Sequence, residues 1–209
     1  MISDLEGHPV ASCPLIHLGP LTARSFDTLW QTAPTLHLVE NCTRVPPRNP
    51  GTVRVARTET AFRALFELVT PLPRATLTGH KQPLYQEDVA EIFIDPFGDA
   101  SVYYEFEVNP LNARLDLVIR RTRYGARKDF RWESPGFISA VQRTEVGWNA
   151  EFEIPFADLP TCPNDSSSWR VNFTRIDRPS DGPRELTAWS PTGLAQFHVP
   201  SRFGEIRFT

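Results

Sequence analysis

Short runs of alternating apolar and polar residues, separated by turn residues, constrain the fold of this chain most strongly. The clearest run is Leu84–Asn109, which reads LYQEDVAEIFIDPFGDASVYYEFEVN. Successive side chains of a strand point to opposite sides, so each run can bury one face. The chain also has 20 prolines and 11 glycines, and no window shows sustained helical periodicity. The sequence therefore predicts an all-β protein, an antiparallel β-sandwich with a few short helical turns.

The length and charge of the chain limit its domain organisation and its partners. A chain of 209 residues fits one all-β domain, and we expect residues 1–209 to form it, with residues 1–20 as an irregular lead-in or an edge strand. The net charge is -3, and acids and bases are mixed along most of the chain. No overall field attracts nucleic acid or an anionic membrane, so we expect neither as a partner. The sequence leaves the oligomeric state open.

Cysteine content and the first residues bear on the cellular compartment. The three cysteines, Cys13, Cys42 and Cys162, are far apart, and an odd number argues against a complete disulfide framework. The first residues carry early acids and lack a basic region followed by an apolar run. The sequence as given therefore predicts a cytoplasmic protein. A chain trimmed at its N-terminus would be expected to be extracellular or periplasmic.

The two strands predicted within Leu84–Asn109 present one apolar face and one polar face. Ala90, Ile92 and Ile94 share one side of the first strand, which places Glu91 on the other side. In the second strand the apolar side is formed by Tyr104, Phe106 and Val108, and the polar side by Glu105, Glu107 and Asn109. A polar outer face with aromatic residues at its rim suits a polar ligand with apolar flanks, such as a sugar.

Four parts of the chain, in order and in register, resemble the family 9 carbohydrate-binding modules. They are LYQEDVAEIFIDP, YYEFEVNP, GWNAEFEIPFADL followed by WRVNFTRIDRP, and AWSPT with FHVPSRFGEIRF. The resemblance extends over most of residues 25–209. It implies a jelly-roll-like β-sandwich that binds a mono- or oligosaccharide without catalysis, in some relatives at the reducing end of a glycan. Such modules occur attached to xylanases and as free-standing proteins of carbohydrate catabolism, and they carry structural calcium.

The resemblance also implies which residues hold the sugar. In that family two aromatic side chains enclose the sugar, and acids and amides bind its hydroxyl groups. By motif the aromatic positions fall on Tyr85 and Phe197, and the polar positions are Glu91, Glu107, Asn109 and Thr174. The chain departs from the family because the aromatic residues are smaller than tryptophan and Glu107 is an acid where a base is expected. The alternative function is an interaction domain, or one associated with a glycoside hydrolase, that kept the fold and lost the sugar.

The turn Asp95-Pro96-Phe97-Gly98-Asp99 is the predicted calcium site. Asp95 and Asp99 offer oxygen ligands in a tight loop, as calcium requires. Asp and Gly are also common in turns that hold no metal. Both interpretations stay open at this point.

Three other chemistries are compatible with parts of the sequence. Glu91 and Glu107 could form the carboxylate pair of a glycoside hydrolase, so we leave it open whether the chain is an enzyme. His80 and His198 could bind a metal or haem, although isolated histidines are usually structural. A basic segment could contact nucleic acid through phosphates and stacking; its charged residues are Arg120, Arg121, Arg123, Arg127, Lys128 and Arg131.

Overall fold

A computed structural model describes residues 2–4, 7–21, 28–179 and 182–209, and within them the chain is almost entirely β-structure. The strands are β1 Ile2–Ser3, β2 Pro9–Cys13, β3 Thr35–His37, β4 Val39–Glu40, β5 Gly51–Arg57, β6 Ala61–Val69, β7 Val89–Asp95, β8 Val102–Val108, β9 Arg114–Thr122, β10 Gly125–Asp129, β11 Ile138–Arg143, β12 Gly147–Pro155, β13 Ser168–Asp177, β14 Glu185–Ala188 and β15 Gly204–Phe208. The helical residues form short 3-10 turns at Thr28–Thr32, Leu84–Gln86, Phe156–Asp158 and Pro200–Arg202. No helix in the described ranges is long and apolar enough to cross a membrane.

Two sheets pack face to face, which confirms the predicted β-sandwich. The large sheet has ten strands, ordered β1-β2-β15-β13-β7-β8-β9-β10, with β14 pairing β13 and β4. The small sheet has five, ordered β11-β12-β6-β5-β3. Pairing between these strands is antiparallel except for β2 and β15, which run parallel with Val10 opposite Glu205. The chain before residue 20 thus contributes strands to the edge of the large sheet.

The main core lies between the two sheets and consists of the faces that the alternation predicts to be apolar. The small sheet contributes Phe62, Phe66 and Trp148, and the large sheet contributes Phe106 and Phe173, all of them buried. Phe66 and Phe173 meet across the two sheets with ring centroids 6.1 Å apart. Burial of each such side chain contributes about 1.5–3 kcal/mol to the free energy of unfolding.

The outer face of the large sheet is also covered by other parts of the chain. The alternation of apolar and polar residues within a strand does not predict this cover. We call this cover the second apolar cluster. Its members from the sheet strands include Val89, Phe93, Tyr103, Leu115, Leu117, Ile119 and Ile176. Its members from the surrounding segments include Leu84, Leu186, Phe197 and Phe203. The polar outer face that the alternation predicts is therefore largely buried, because segments distant in the sequence fold over it.

Candidate ligand-binding cleft

A cleft of about 190 Å³ opens on the outer face of the large sheet. Its lining comes from β7, β8, β10, β13, the 3-10 turn at Leu84–Gln86 and the segments around β14 and residue 197. The lining residues are Tyr85, Glu91, Phe93, Glu105, Lys128, Ile176, Arg184, Leu186, Ala195, Gln196, Phe197 and His198. At roughly 30 Å³ per water this volume equals about six water molecules. The cleft therefore suits one small polar molecule or one end of a longer one.

Tyr85 reaches the cleft because the 3-10 turn divides its neighbours between core and solvent. Leu84 is fully buried in the second apolar cluster, whereas Tyr85 remains 39% exposed. The backbone carbonyl of Tyr85 accepts a hydrogen bond of 3.0 Å from the Arg178 guanidinium, which fixes the turn from the β13 side. The ring of Tyr85 is therefore held at the cleft with much of its surface free.

Phe197 lines the same cleft and is only 5% exposed, because it also belongs to the second apolar cluster. Its ring lies 6.3 Å from that of Phe93. The loop before it is held by the buried Asn41, whose amide donates to the carbonyls of Leu194 at 2.6 Å and Gln196 at 3.2 Å. Phe197 thus offers one edge or face to a ligand, while the rest of the ring packs inward.

Three buried carboxylates form the floor of the cleft and the layer behind it. Glu91 on β7 is directly opposite Glu107 on β8, and Glu105 lies two residues along on the same face. One carboxylate oxygen from each lies within 4.8 Å of the others. Glu91 and Glu105 are 2% exposed and line the cleft, whereas Glu107 is 0% exposed and lies behind them. Like charges directly opposite each other in a sheet are destabilising, so this arrangement is unusual for a purely structural face.

Few hydrogen-bond donors reach this acid cluster. Thr174 on β13 donates its hydroxyl to Glu91 at 2.6 Å. The Lys128 ammonium lies 3.8 Å from Glu105, and His198 Nε2 lies 3.9 Å from the other Glu105 oxygen, both too long for a hydrogen bond. Neither oxygen of Glu107 has a hydrogen-bond donor.

Burial governs protonation in the cluster. Burial and the neighbouring Glu105 raise the pKa of Glu91 to about 8. Burial, followed by the charges of Glu105 and Glu91, raises the pKa of Glu107 well above its ordinary value, and burial also raises the pKa of Glu105. Burial, with a smaller effect of Lys128, lowers the pKa of His198 to about 3, so its imidazole is neutral at ordinary pH. Burial thus favours the protonated form of all three acids, and Glu91 holds its proton at neutral pH.

The structure brings four of the six predicted ligand-binding residues together at the cleft. Of the other two, Glu107 lies deeper and Asn109 lies at the turn after β8. Tyr85, Glu91 and Phe197 line the cleft, and Thr174 supports Glu91 from behind. Glu107 belongs to the acid cluster beneath the lining. Its shielded oxygens give no support to a hydrolase pair formed by Glu91 and Glu107, since a catalytic carboxylate must touch the sugar.

Asn109 lies outside the cleft and organises the turn after β8. Its side-chain oxygen accepts hydrogen bonds from the backbone N–H groups of Leu111 at 3.0 Å and Ala113 at 2.9 Å. Its amide donates to the carbonyl of Leu77 at 2.8 Å. These bonds tie the loop at residues 71–83 to the turn after β8, and no residue of this loop is among those that line the cleft. The prediction that Asn109 contacts a ligand thus has no geometric support.

Asp95 and Asp99 act as turn formers in the structure. Asp95 accepts backbone hydrogen bonds from Phe97 at 3.1 Å, Gly98 at 2.8 Å and Ala100 at 2.8 Å, which occupy both of its oxygens. Asp99 accepts one from Ser101 at 2.8 Å. Gly98 has a φ of 69°, which glycine adopts without strain. Calcium binding at this turn stays a prediction.

Sequence reasoning did not assign Glu105, Lys128 and Arg184 to the site, although all three line the cleft. Alternation does place Glu105 on the face of Glu107, so its signal was present. Lys128 lies on β10, opposite Ile119 and therefore on the cleft side of the sheet. Of the predicted haem or metal ligands, His198 lies at the cleft, whereas His80 Nδ1 lies 3.0 Å from the Arg114 carbonyl.

Comparison with known proteins gives consistent relatives. A family model described as "Carbohydrate family 9 binding domain-like" matches residues 23–209. The fold is similar to that of a family 9 carbohydrate-binding module from Caldicellulosiruptor kristjanssonii in complex with cellotriose, with a TM-score of 0.72 and 18% identity over 96% of this chain and 94% of that one. A structure of such a module from that organism with glucose gives a TM-score of 0.69 and 18% identity over 95% of each chain.

A curated relative has higher identity over a shorter stretch. An extracellular protein from Arthroderma benhamiae is 29% identical over an aligned stretch of 138 residues, and the match covers 60% of this chain. The match spans 62% of that protein. The match thus covers less than two thirds of either protein.

Proposed function

Because the chain belongs to the carbohydrate family 9 binding domain-like family, we propose that it binds a saccharide, without catalysis, in the cleft lined by Tyr85, Glu91 and Phe197. The observation that carries the proposal is the convergence of these three residues. They come from a 3-10 turn, strand β7 and a loop more than a hundred residues later. An aromatic ring covers the C–H face of a pyranose, while carboxylates accept hydrogen bonds from its hydroxyl groups.

Each side chain has a defined part in the proposed complex. The exposed ring of Tyr85 is the stacking surface, and Phe197 limits the other side of the cleft. Glu91 and Glu105 accept hydroxyl hydrogen bonds at the floor, and Thr174 fixes the orientation of the Glu91 carboxylate. The small volume favours one terminal sugar unit, so the proposed ligand is the end of a glycan, the reducing end included. The relatives solved with glucose and with cellotriose support a glucose-type unit as the first ligand to test.

The proposal is tested by titrating glucose and cellotriose into the Tyr85→Ala variant and the unchanged protein by calorimetry. Loss of a stacking aromatic at the centre of a site should weaken binding about tenfold or more. The free energy of unfolding should change little, because Tyr85 is partly exposed. Tyr124→Ala is the matched control, since that tyrosine is 83% exposed at the tip of the β9–β10 hairpin. Cellotriose reduced at its end to the open-chain alcohol tests whether the reducing end enters the cleft.

Two results would contradict the proposal. Equal loss of affinity in Tyr85→Ala and Tyr124→Ala would place binding elsewhere on the surface. Absence of binding to any glycan of a broad array would favour the interaction domain that kept the fold and lost the sugar.

A further inference from the structure

The acid cluster at the floor of the cleft brings three buried carboxyl groups together with few other partners among the described residues. Glu91 receives one hydroxyl donor, from Thr174, whereas Glu105 is reached by the Lys128 ammonium at 3.8 Å and by the Glu107 carboxyl group when that group is protonated. Glu107 is fully buried next to them, and neither of its oxygens has a hydrogen-bond donor. An unpartnered buried carboxylate is costly, and natural proteins usually pair it. The missing partner therefore points to a positively charged group that arrives from outside.

The titratable and charged groups around the acid cluster are Lys128, Arg184, His198 and Tyr103. Lys128 from β10 and Arg184, before β14, line the cleft near its rim, and both act on Glu91 from a distance. Lys128 remains 3.8 Å from Glu105. His198 faces Glu105 as a neutral imidazole, and the Tyr103 hydroxyl lies 3.1 Å from His198 Nδ1. Among the described residues, the lysine or arginine that comes within 4 Å of these acids is Lys128, which pairs with Glu105.

We propose that the cleft selects an amino sugar, a hexosamine whose protonated amine is held by the carboxylates of Glu91 and Glu105 with Glu107 behind them. This inference rests on the proposed saccharide binding and names the class of saccharide. A protonated amine carries three N–H donors on a tetrahedral nitrogen. With N···O distances of about 2.8 Å, two oxygens bound to it lie roughly 4.6 Å apart. One carboxylate oxygen from each acid lies within 4.8 Å of the others, an upper limit that accommodates this span.

An ammonium group fits this cluster better than a divalent metal ion does. Calcium takes six to eight oxygen ligands in most proteins. Here the Thr174 hydroxyl is already engaged as a donor to Glu91. The residues opposite the acids on the same face, Phe93, Leu115 and Leu117, have apolar side chains. The entrance to the acids is also the cleft proposed to hold the sugar, so a charge on the sugar itself reaches them directly.

Calorimetric titration with glucosamine, glucose and N-acetylglucosamine tests the inference. Glucosamine and glucose are nearly the same size and differ at one carbon by an ammonium in place of a hydroxyl. N-acetylglucosamine keeps the nitrogen and removes its charge. At mildly acidic pH and in the presence of EDTA, we expect glucosamine to bind about tenfold or more tightly than the other two, the effect of charge-assisted hydrogen bonds at a buried site.

A second readout is proton release. The incoming cation replaces protons held by the acid cluster, so the measured heat should vary with the ionisation enthalpy of the buffer for glucosamine and much less for glucose. Equal affinity for glucosamine and glucose would overturn the inference while leaving saccharide binding intact. A glucosamine preference that appears only with added calcium and disappears in EDTA would also overturn it, in favour of a metal site.

The variant Glu105→Gln connects the preference to the cluster. It keeps the shape of the side chain and removes one charge, so the ratio of glucosamine affinity to glucose affinity should fall about tenfold. Glu67→Gln on the small sheet is the matched control, because Glu67 is a half-buried acid remote from the cleft. Folding of each variant is checked by urea unfolding. An unchanged ratio in folded Glu105→Gln protein would contradict the inference.

Discussion

The outer faces of the two sheets both bury acids, and they treat them in opposite ways. On the small sheet, the Arg63 guanidinium donates to Glu151 at 3.1 Å and forms an ion pair with Glu153 at 2.7 Å. On the large sheet, Glu91, Glu105 and Glu107 lie together, and the lysine or arginine within 4 Å of them among the described residues is Lys128, 3.8 Å from Glu105. The fold can evidently supply a matched cation where a buried acid is structural. This difference supports the proposal that the acids of the large sheet bind a ligand.

The largest expected effect comes from breaking the matched pair. Arg63→Met keeps most of the side-chain volume and leaves Glu151 buried without its cation. We expect the free energy of unfolding to fall by about 3–5 kcal/mol, the usual cost of an uncompensated buried charge. Urea denaturation measures it. A loss below about 1 kcal/mol would mean that the Arg63 pair is dispensable and would remove the contrast between the two faces.

A smaller effect of opposite sign is expected on the large sheet. Glu107→Gln removes a buried carboxylate that has no donor and relieves its repulsion with Glu91 and Glu105. We expect the free energy of unfolding to rise by about 1–2 kcal/mol at neutral pH and above, because burial and the neighbouring acids disfavour the ionised form of Glu107. The same denaturation measurement applies, with Glu67→Gln as the control. A destabilised Glu107→Gln protein would show that the acid has a structural partner after all.

The pH dependence of stability sharpens the comparison further. The pKa of Glu91 is raised from its ordinary value of 4.5 to about 8 in the folded state. Its stabilising contribution to the free energy of unfolding is therefore complete below the ordinary pKa and is lost as pH rises through about 8. The lowered pKa of His198 makes the free energy of unfolding rise with pH, and this opposite effect operates only below the ordinary histidine pKa of 6.5. Between about pH 6.5 and 8 the free energy of unfolding should therefore fall, on the order of 1 kcal/mol per pH unit.

The variant Glu91→Gln isolates this effect. Its free energy of unfolding should change less with pH over the same window than that of the unchanged protein. The measurement is thermal unfolding of both proteins at several pH values. A parallel decline of the free energy of unfolding in the two proteins would assign its pH dependence to other groups.

Much of the scaffold could be predicted from alternation alone. Trp148, Phe152 and Phe106 face the main core as their spacing indicates, because a period of two fixes the face once the strand is recognised. Strand β10 was missed, since its exposed sequence GARKD carries no apolar alternation. The role of Asp95 in its turn is local and can be predicted from the sequence, although its carboxylate oxygens can equally be interpreted as metal ligands.

The site was harder to predict, for reasons of depth and long-range contact. Alternation placed Glu91 and Glu107 on one face, but it could not show that Leu186, Phe197 and Phe203 would cover that face. That cover turns an exposed row of acids into a buried cluster. Lys128 reaches the cleft only through pairing of β10 with β9, a contact that no local pattern encodes.

A crystal structure of the protein soaked with glucosamine and, separately, with glucose tests the central claim most directly. The account predicts a pyranose ring against Tyr85 and Phe197, with the glucosamine nitrogen within hydrogen-bond distance of Glu91 and Glu105. Sugar density on the small sheet, for example in the groove between Thr52 and Asn149, with the acid cluster left empty, would contradict it.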